Sequence, residues 1–315
     1  MRNLNEYITL NEGELDYLRP TSKRELIELI KRRIRKQGYN CDLNDIDVSR
    51  VTDMSGLFSE SSFNGDISKW DVSHVKRMDE MFFNSKFNSD ISDWNVSRVV
   101  NMRCMFSCSE FNKDISKWDV SRVKDMESMF YHSMFNGDIS SWNVGQVMDM
   151  ALMFTNSKFN GDISDWDTSR VEHMEYMFKD SIFNGDISKW DVSSVENMYA
   201  MFADSRFNGD ISKWNVSRVS HMSHMFANSP FNKNISRWNV SSVIAMNSMF
   251  ADSKFNGDIS KWNVSNVQDM SHMFENSKFN GDISKWNVSN VKNMYCMFYK
   301  SPIDSNGSEP SWYKA

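Results

Sequence analysis

FNGDISKWDVSHVKRMDEMFFNSK, residues 63–86, decides the fold, because it recurs ten times without insertion or deletion as far as Pro302. Ten tryptophans, from Trp70 through Trp286, keep the beat at intervals of 24 residues. A fixed period of that length identifies units that cannot bury their apolar face alone and must stack.

The unit reads F-N-G-D-I-S-x-W-[DN]-V-S-x-V-x-x-M-x-x-M-F-x-x-S-x. Ile67, Trp70 and Val72 form I-x-x-W-x-V, which superimposes on the L-x-x-L-x-L core of a leucine-rich repeat. Trp70 and Val72 share parity and point inward together, so the spacing predicts a strand over 67–72. Val75, Met78, Met81 and Phe82 then fall at i, i+3, i+6 and i+7, predicting a short helix over 74–84 capped by Ser73. Tight 3₁₀ turns are the open alternative for that half. The expected fold class is α/β: a leucine-rich-repeat-like right-handed solenoid with one short strand and one short helix per repeat. Strands stack at ~4.8 Å and helices at roughly 8–10 Å, so the strands should lie on the concave face of a curved body.

The polar positions have structural readings. Asn64 recurs in every copy, where its amide can satisfy the neighbouring coil. Asp66 becomes Asn234 once, which fits a hydrogen bond to turn amides better than a bound cation. Gly65 is replaced by Ser89, Lys113 and Lys233, so positive φ is not demanded there. The methionines at the two helix-side positions read as flexible core filler against aromatic edges, not as metal or haem ligands.

Around the repeats the expected divisions are an irregular lead over 1–20, a capping helix over 21–38, a degenerate coil over 39–62, ten full repeats over 63–302 and a C-terminal half-coil over 303–315. The helix carries a Ser22-x-x-Glu25 capping box, Gly38 at its end, and cations at Lys31, Arg32, Arg33, Arg35 and Lys36. Leu43, Ile46 and Val48 stand in the degenerate coil where Ile67, Trp70 and Val72 stand in the repeat. Asn306-Gly307 and Trp312 keep the repeat's internal spacing after a two-residue insertion.

Net charge is −6 with both signs mixed, unlike the basic footprint of a nucleic-acid binder. Four cysteines without framework spacing read as free thiols. No apolar run is long enough to span a membrane. The N-terminus has no basic segment followed by an apolar run, so the expected location is cytoplasmic as encoded. Cys104, Cys108 and His132 are the best metal-like constellation, but no C-x-x-C spacing supports zinc. No catalytic residue, metal or cofactor is assigned, and the chain is read as not an enzyme.

The variable outward positions are more informative. One row carries Lys69, Lys117, Lys189, Lys213, Arg237, Lys261 and Lys285; the next carries Arg98, Arg122, Arg170 and Arg218. Cross-strand charge pairing explains such stripes structurally. The functional reading is a partner-binding surface on the strand face, engaging a protein or glycan.

The repeat resembles that of BspA-family leucine-rich-repeat surface proteins, also abundant in mycoplasma surface lipoproteins. W, DVS or NVS, and MF recur in frame, apart from Gly145 and Thr168. The resemblance implies a leucine-rich-repeat-like solenoid for adhesion or protein binding without catalysis, displayed at the cell surface through another export route. The alternative expectation is a structural, self-assembling solenoid of phage or mobile-element origin.

Overall fold

The computed structural model describes residues 18–314; the part of the expected irregular lead over 1–17 lies outside them. From residue 41 to 301 the chain winds in successive coils of the expected period, and the same positions point inward along the stack, with Val288, Val291 and Met294 of the last coil only partly buried. In the first full repeat these are Phe63, Ile67, Trp70, Val72, Val75, Met78, Met81, Phe82 and Ser85. The resulting core is one continuous seam: Phe63, Ile67, Met78, Met81 and Phe82 are 0% exposed, and Trp70 only 4%. Trp70 and Trp94 lie nearly parallel with centroids 6.5 Å apart, and Phe82 stacks on Phe106 at 5.6 Å and on Phe87 at 4.2 Å.

The expected strand over 67–72 and helix over 74–84 do not form. Parallel bridging is confined to one residue per coil, running from Asp53–Arg77 through Asp269–Asn293. What replaces the strand is a set of side-chain acceptors for the amides a ladder would have paired. Ser85 Oγ accepts from the Phe87 amide, Asp66 Oδ1 from Ser68 at 2.9 Å, and Asp71 Oδ1 from Ser73 at 3.1 Å. Ser73 is therefore a turn residue and not a helix cap. Asn64 Oδ1 accepts from the Asn88 amide of the next coil, and the contact repeats nine times at 2.8–3.0 Å as far as Asn280.

What replaces the helix is a ribbon of turns in which successive amides take different directions. Met81 and Phe83 donate to Met78 and Glu80 within the coil, at 3.1 and 3.0 Å. Met78, Glu80, Phe82 and Asn84 donate instead to Asn101, Arg103, Met105 and Ser107 of the following coil, at 2.8–3.0 Å. The backbone reaches this alternation by taking positive φ at Glu80 (59°) and Asn84 (47°), the third-residue position of a type II turn. Asn and Asp tolerate that region, which explains Asn84, Asn156, Asp180, Asp204 and Asn228 in the second of the two positions. With no helix in the coil, the spacing mismatch behind the expected curvature is absent.

The indole nitrogens pin each coil to the one before it. Trp94 Nε1 donates to Ile67 O at 3.1 Å, and the bond recurs at every repeat tryptophan. Thus a buried carbonyl and a buried N–H satisfy one another. At the C-terminal end Trp312 Nε1 reaches Ile283 O at 3.3 Å, and its ring lies 6.4 Å from Phe298, so it takes the place of a repeat tryptophan despite the insertion. A short helix, which we number α2 (Pro302–Ser305), precedes it. At the other end α1 (Lys23–Gln37) starts at Ser22, whose side chain accepts from the Glu25 amide, and stops at Gly38, φ 84°. Its buried face, Leu26, Leu29 and Ile30, joins the core, and Lys23 Nζ bonds Ser55 Oγ at 2.8 Å.

The turn ribbon and a helix respond oppositely to glycine. Glu80→Gly relieves left-handed strain of roughly 1–2 kcal/mol, against roughly 0.4–1 kcal/mol of added unfolded-state freedom. Denaturant unfolding should show a slightly more stable variant, whereas a loss of ~1 kcal/mol, as for glycine inside a helix, would refute the ribbon.

Candidate functional site

With the repeated residues committed to core and turns, chemistry is left to the positions that differ between coils. The eleven cations picked out by sequence are all exposed. They sit at turn corners and not on a strand: Lys69 ends the turn at 68–69, and the Arg98 row ends the turn equivalent to 73–74. Lys189 pairs with Asp165 at 2.8 Å, Arg218 with Glu196 at 3.0 Å, and Arg170 bonds Gln146 at 2.6 Å. Among the described residues, Lys69, Lys117, Lys213, Arg237, Lys261, Lys285, Arg98 and Arg122 make no ion pair within 4.0 Å.

Beside the lysine row runs a row of aspartates with lowered pKa. Hydrogen bonds from Ser68, Ser116 and Ser212 hold Asp66, Asp114 and Asp210 below the ordinary carboxylate value, and Lys69, Lys117 and Lys213 add a smaller attraction. The corner is thus a zwitterionic double column.

The face carrying the parallel bridges differs between its two halves. In the N-terminal half, carboxylate oxygens of Asp125, Glu127 and Asp149 lie within 4.8 Å of one another, half-buried. Burial pushes the carboxyls of Asp125 and Asp149 up, opposed by hydrogen bonds from the Glu127 and Ala151 amides. Arg103 neutralises one member of the group through two bonds to Glu127, at 2.7 and 3.2 Å. Oxygen donors of this kind suit a hard divalent cation, but the guanidinium already occupies part of that role. His173 Nδ1 lies 3.8 Å from Glu175 Oε2 nearby, and neither atom has a hydrogen-bond partner among the described residues.

Cys104, Cys108 and His132 do not converge on a shared ligand position among the described residues. Burial pushes the Cys104 thiol up to about 11, which disfavours the thiolate a zinc site needs. The His132 ring instead meets Asn156 Nδ2 at 2.9 Å.

In the C-terminal half, the positions equivalent to 79 and 80 carry a feature the sequence reading missed. Tyr176, Tyr199, His224, Asn247, His272 and Tyr295 occupy them in six successive coils, switching between the two positions at each step. From the second step onward the vacated position holds a small side chain: Ala200, Ser223, Ser248, Ser271 and Cys296. Tyr176 meets Tyr199 edge-on at 5.0 Å, Tyr199 lies 5.4 Å from His224, and His272 meets Tyr295 at 5.4 Å. Asn247 Nδ2 lies 3.4 Å from His224 Nε2. The signal was available as a two-coil alternation, visible when neighbouring copies are compared at these positions.

These features define a repeat solenoid whose variable residues are sorted into columns. Residues 30–134, 131–230 and 205–309 each match the family described as Mycoplasma protein of unknown function, DUF285, and the chain belongs to that family. No curated protein and no solved structure matches it. Among the described residues no helix is long and apolar enough to cross a membrane.

Asp125→Asn tests the acidic cluster. Asparagine preserves the turn, since Asn101 Oδ1 accepts from the Arg103 amide as Asp125 accepts from Glu127. A carboxyl raised in the folded state binds its proton more tightly there, so the parent loses stability as pH climbs from 3.8 through the raised value. The variant should therefore melt higher than the parent at neutral pH, and the difference should shrink as pH falls below 3.8.

Proposed function

We propose that the chain is a non-enzymatic binding or adhesion-type repeat protein that engages a protein or glycan partner through its exposed cationic columns. The observation that carries this reading is the division of labour within each coil. Recurrent residues are buried or bonded into turns, while Lys69, Lys213, Arg237, Lys261 and their neighbours are exposed and mostly free of ion pairs. An ordered array of this kind offers a long surface on a stiff scaffold, the usual use of a solenoid. The resemblance to BspA-family surface proteins supports the adhesion role and, with it, display at the cell surface.

Reversing charge at Lys189, Lys213, Arg237 and Lys261 should weaken binding to a partner captured from native extract, while the melting temperature changes little because surface ion pairs contribute at most about 1 kcal/mol. Undiminished binding would reject the cationic columns as the contact surface.

A second reading, a self-assembling solenoid, is favoured by one observation. The amides of Met294 and Cys296, whose counterparts in earlier coils bond the next coil, have no backbone acceptor among the described residues. Such an edge can accept another chain. Light scattering should show mass rising with protein concentration; a constant monomer mass removes this reading.

A further inference from the structure

The aromatic zigzag lies outside the cationic columns, and its members touch from one coil to the next. Tyr295 is 69% exposed, and Tyr176, Tyr199, His224, Asn247 and His272 are part-exposed, so their planar groups are available from outside. A shallow hollow of about 300 Å³ is lined by Glu175, Tyr176, Asn197, Tyr199 and His221. We propose that this stripe is a binding platform for a neutral linear oligosaccharide laid along the solenoid axis, the rings of Tyr176 and Tyr199 meeting the C–H faces of neighbouring sugars and that of Tyr295 a sugar further along. The inference rests on the reading of the chain as a binding solenoid and names the ligand class for a different column.

Periodicity is the first argument. One planar side chain is presented per coil over six coils, and coils joined by backbone hydrogen bonds rise by ~4.8 Å, close to the length of one pyranose unit. A ligand that repeats at that interval meets the same kind of group at each step. A globular protein surface without stacked coils offers no such repeat.

Chemistry is the second. Rings that combine an apolar face with a polar tip, alternating with an amide and imidazoles, suit a ligand whose faces are C–H and whose rim is hydroxyl. The small residues Ala200, Ser223, Ser248 and Ser271 alternate with the planar groups and are themselves buried, so the planar groups stand out as the accessible members of the stripe. Ser223 Oγ bonds Asn247 Oδ1, and His272 Nδ1 meets Glu275 Oε2 at 2.7 Å, so the polar tips are held in place by neighbours.

Charge is the third. A polyanion such as a nucleic acid or sulfated glycan would need unpaired cations along the stripe. Of the bordering lysines, Lys179 pairs with Asp180 at 2.6 Å, while Lys292, bonded to Gln268 at 3.0 Å, and Lys300, over the Tyr299 ring at 5.0 Å, stand only at the Tyr295 end. Glu175, Asp269 and Glu275 add negative charge. Burial also moves His224 down from 6.5, toward the neutral imidazole.

The test is calorimetric titration of the full chain with neutral linear hexasaccharides of β-1,4-glucose, β-1,4-N-acetylglucosamine and β-1,3-glucose, with heparin as the polyanion. The expected result is binding of at least one neutral hexasaccharide, weakened about tenfold by Tyr199→Ala, largely kept by Tyr199→Phe, and unaffected by Lys213→Glu with Lys261→Glu. Melting temperatures establish that the exposed-site variants remain folded. Failure of all three neutral sugars to bind overturns the proposal, as does binding that ignores both Tyr199→Ala and His224→Ala. If heparin alone binds, and the lysine variants abolish it, this inference falls while the cationic-column reading stands.

Discussion

Every peptide N–H withdrawn from water needs an acceptor, and in this protein the acceptors are divided between side chains, local turns and the neighbouring coil. Asn64, Asp66, Asp71 and Ser85 supply side-chain oxygens to amides at fixed offsets. Met81 and Phe83 turn back on their own coil, while Met78, Glu80, Phe82 and Asn84 reach across to the next. This division makes the backbone compatible with a coil too tight for a helix and too bent for a strand. It also makes stacking obligatory, because half the ribbon has no partner within its own coil.

The aromatic core follows from that geometry. Once coils are held in register, identical residues are superposed, so a phenylalanine meets a phenylalanine and an indole an indole. Each repeat tryptophan adds a directional bond to a carbonyl of the previous coil, Leu43 for Trp70 and an isoleucine for the others, so its contribution is positional as well as hydrophobic. Methionine fills the remaining space with a side chain that adapts to fixed rings. Because structure is carried by these residues, outward positions are free to differ, and each becomes a column running the length of the body. The charged corner, the carboxylate cluster at Asp125 and the aromatic zigzag at Tyr199 are three such columns.

Much of this was legible in the residues and some was not. The capping box before α1, the buried parity of Trp70 and Val72, and the stacking role of Asn64 follow from local chemistry that does not depend on distant contacts. The step of three through Val75, Met78 and Met81 fits a helix, but it fits a chain of turns as well, and apolar spacing alone cannot separate the two. The Asn or Asp at the position of Asn84 was the missing cue, since those residues enter the left-handed region at modest cost. For the surface, sequence placed the cations outside. It missed the aromatic zigzag because the pattern repeats over two coils and spans two adjacent positions.

By itself the sequence determined the period, the set of inward residues in each coil and the composition of every outward column, because a constant 24-residue spacing superposes equivalent side chains once the units stack. Only the tertiary structure decided the backbone conformation of the 74–84 segment and the meeting of groups such as Tyr176 with Tyr199. The physical reason is the same for both: the partner lies 23 residues further on and comes within reach only after the next coil is in place.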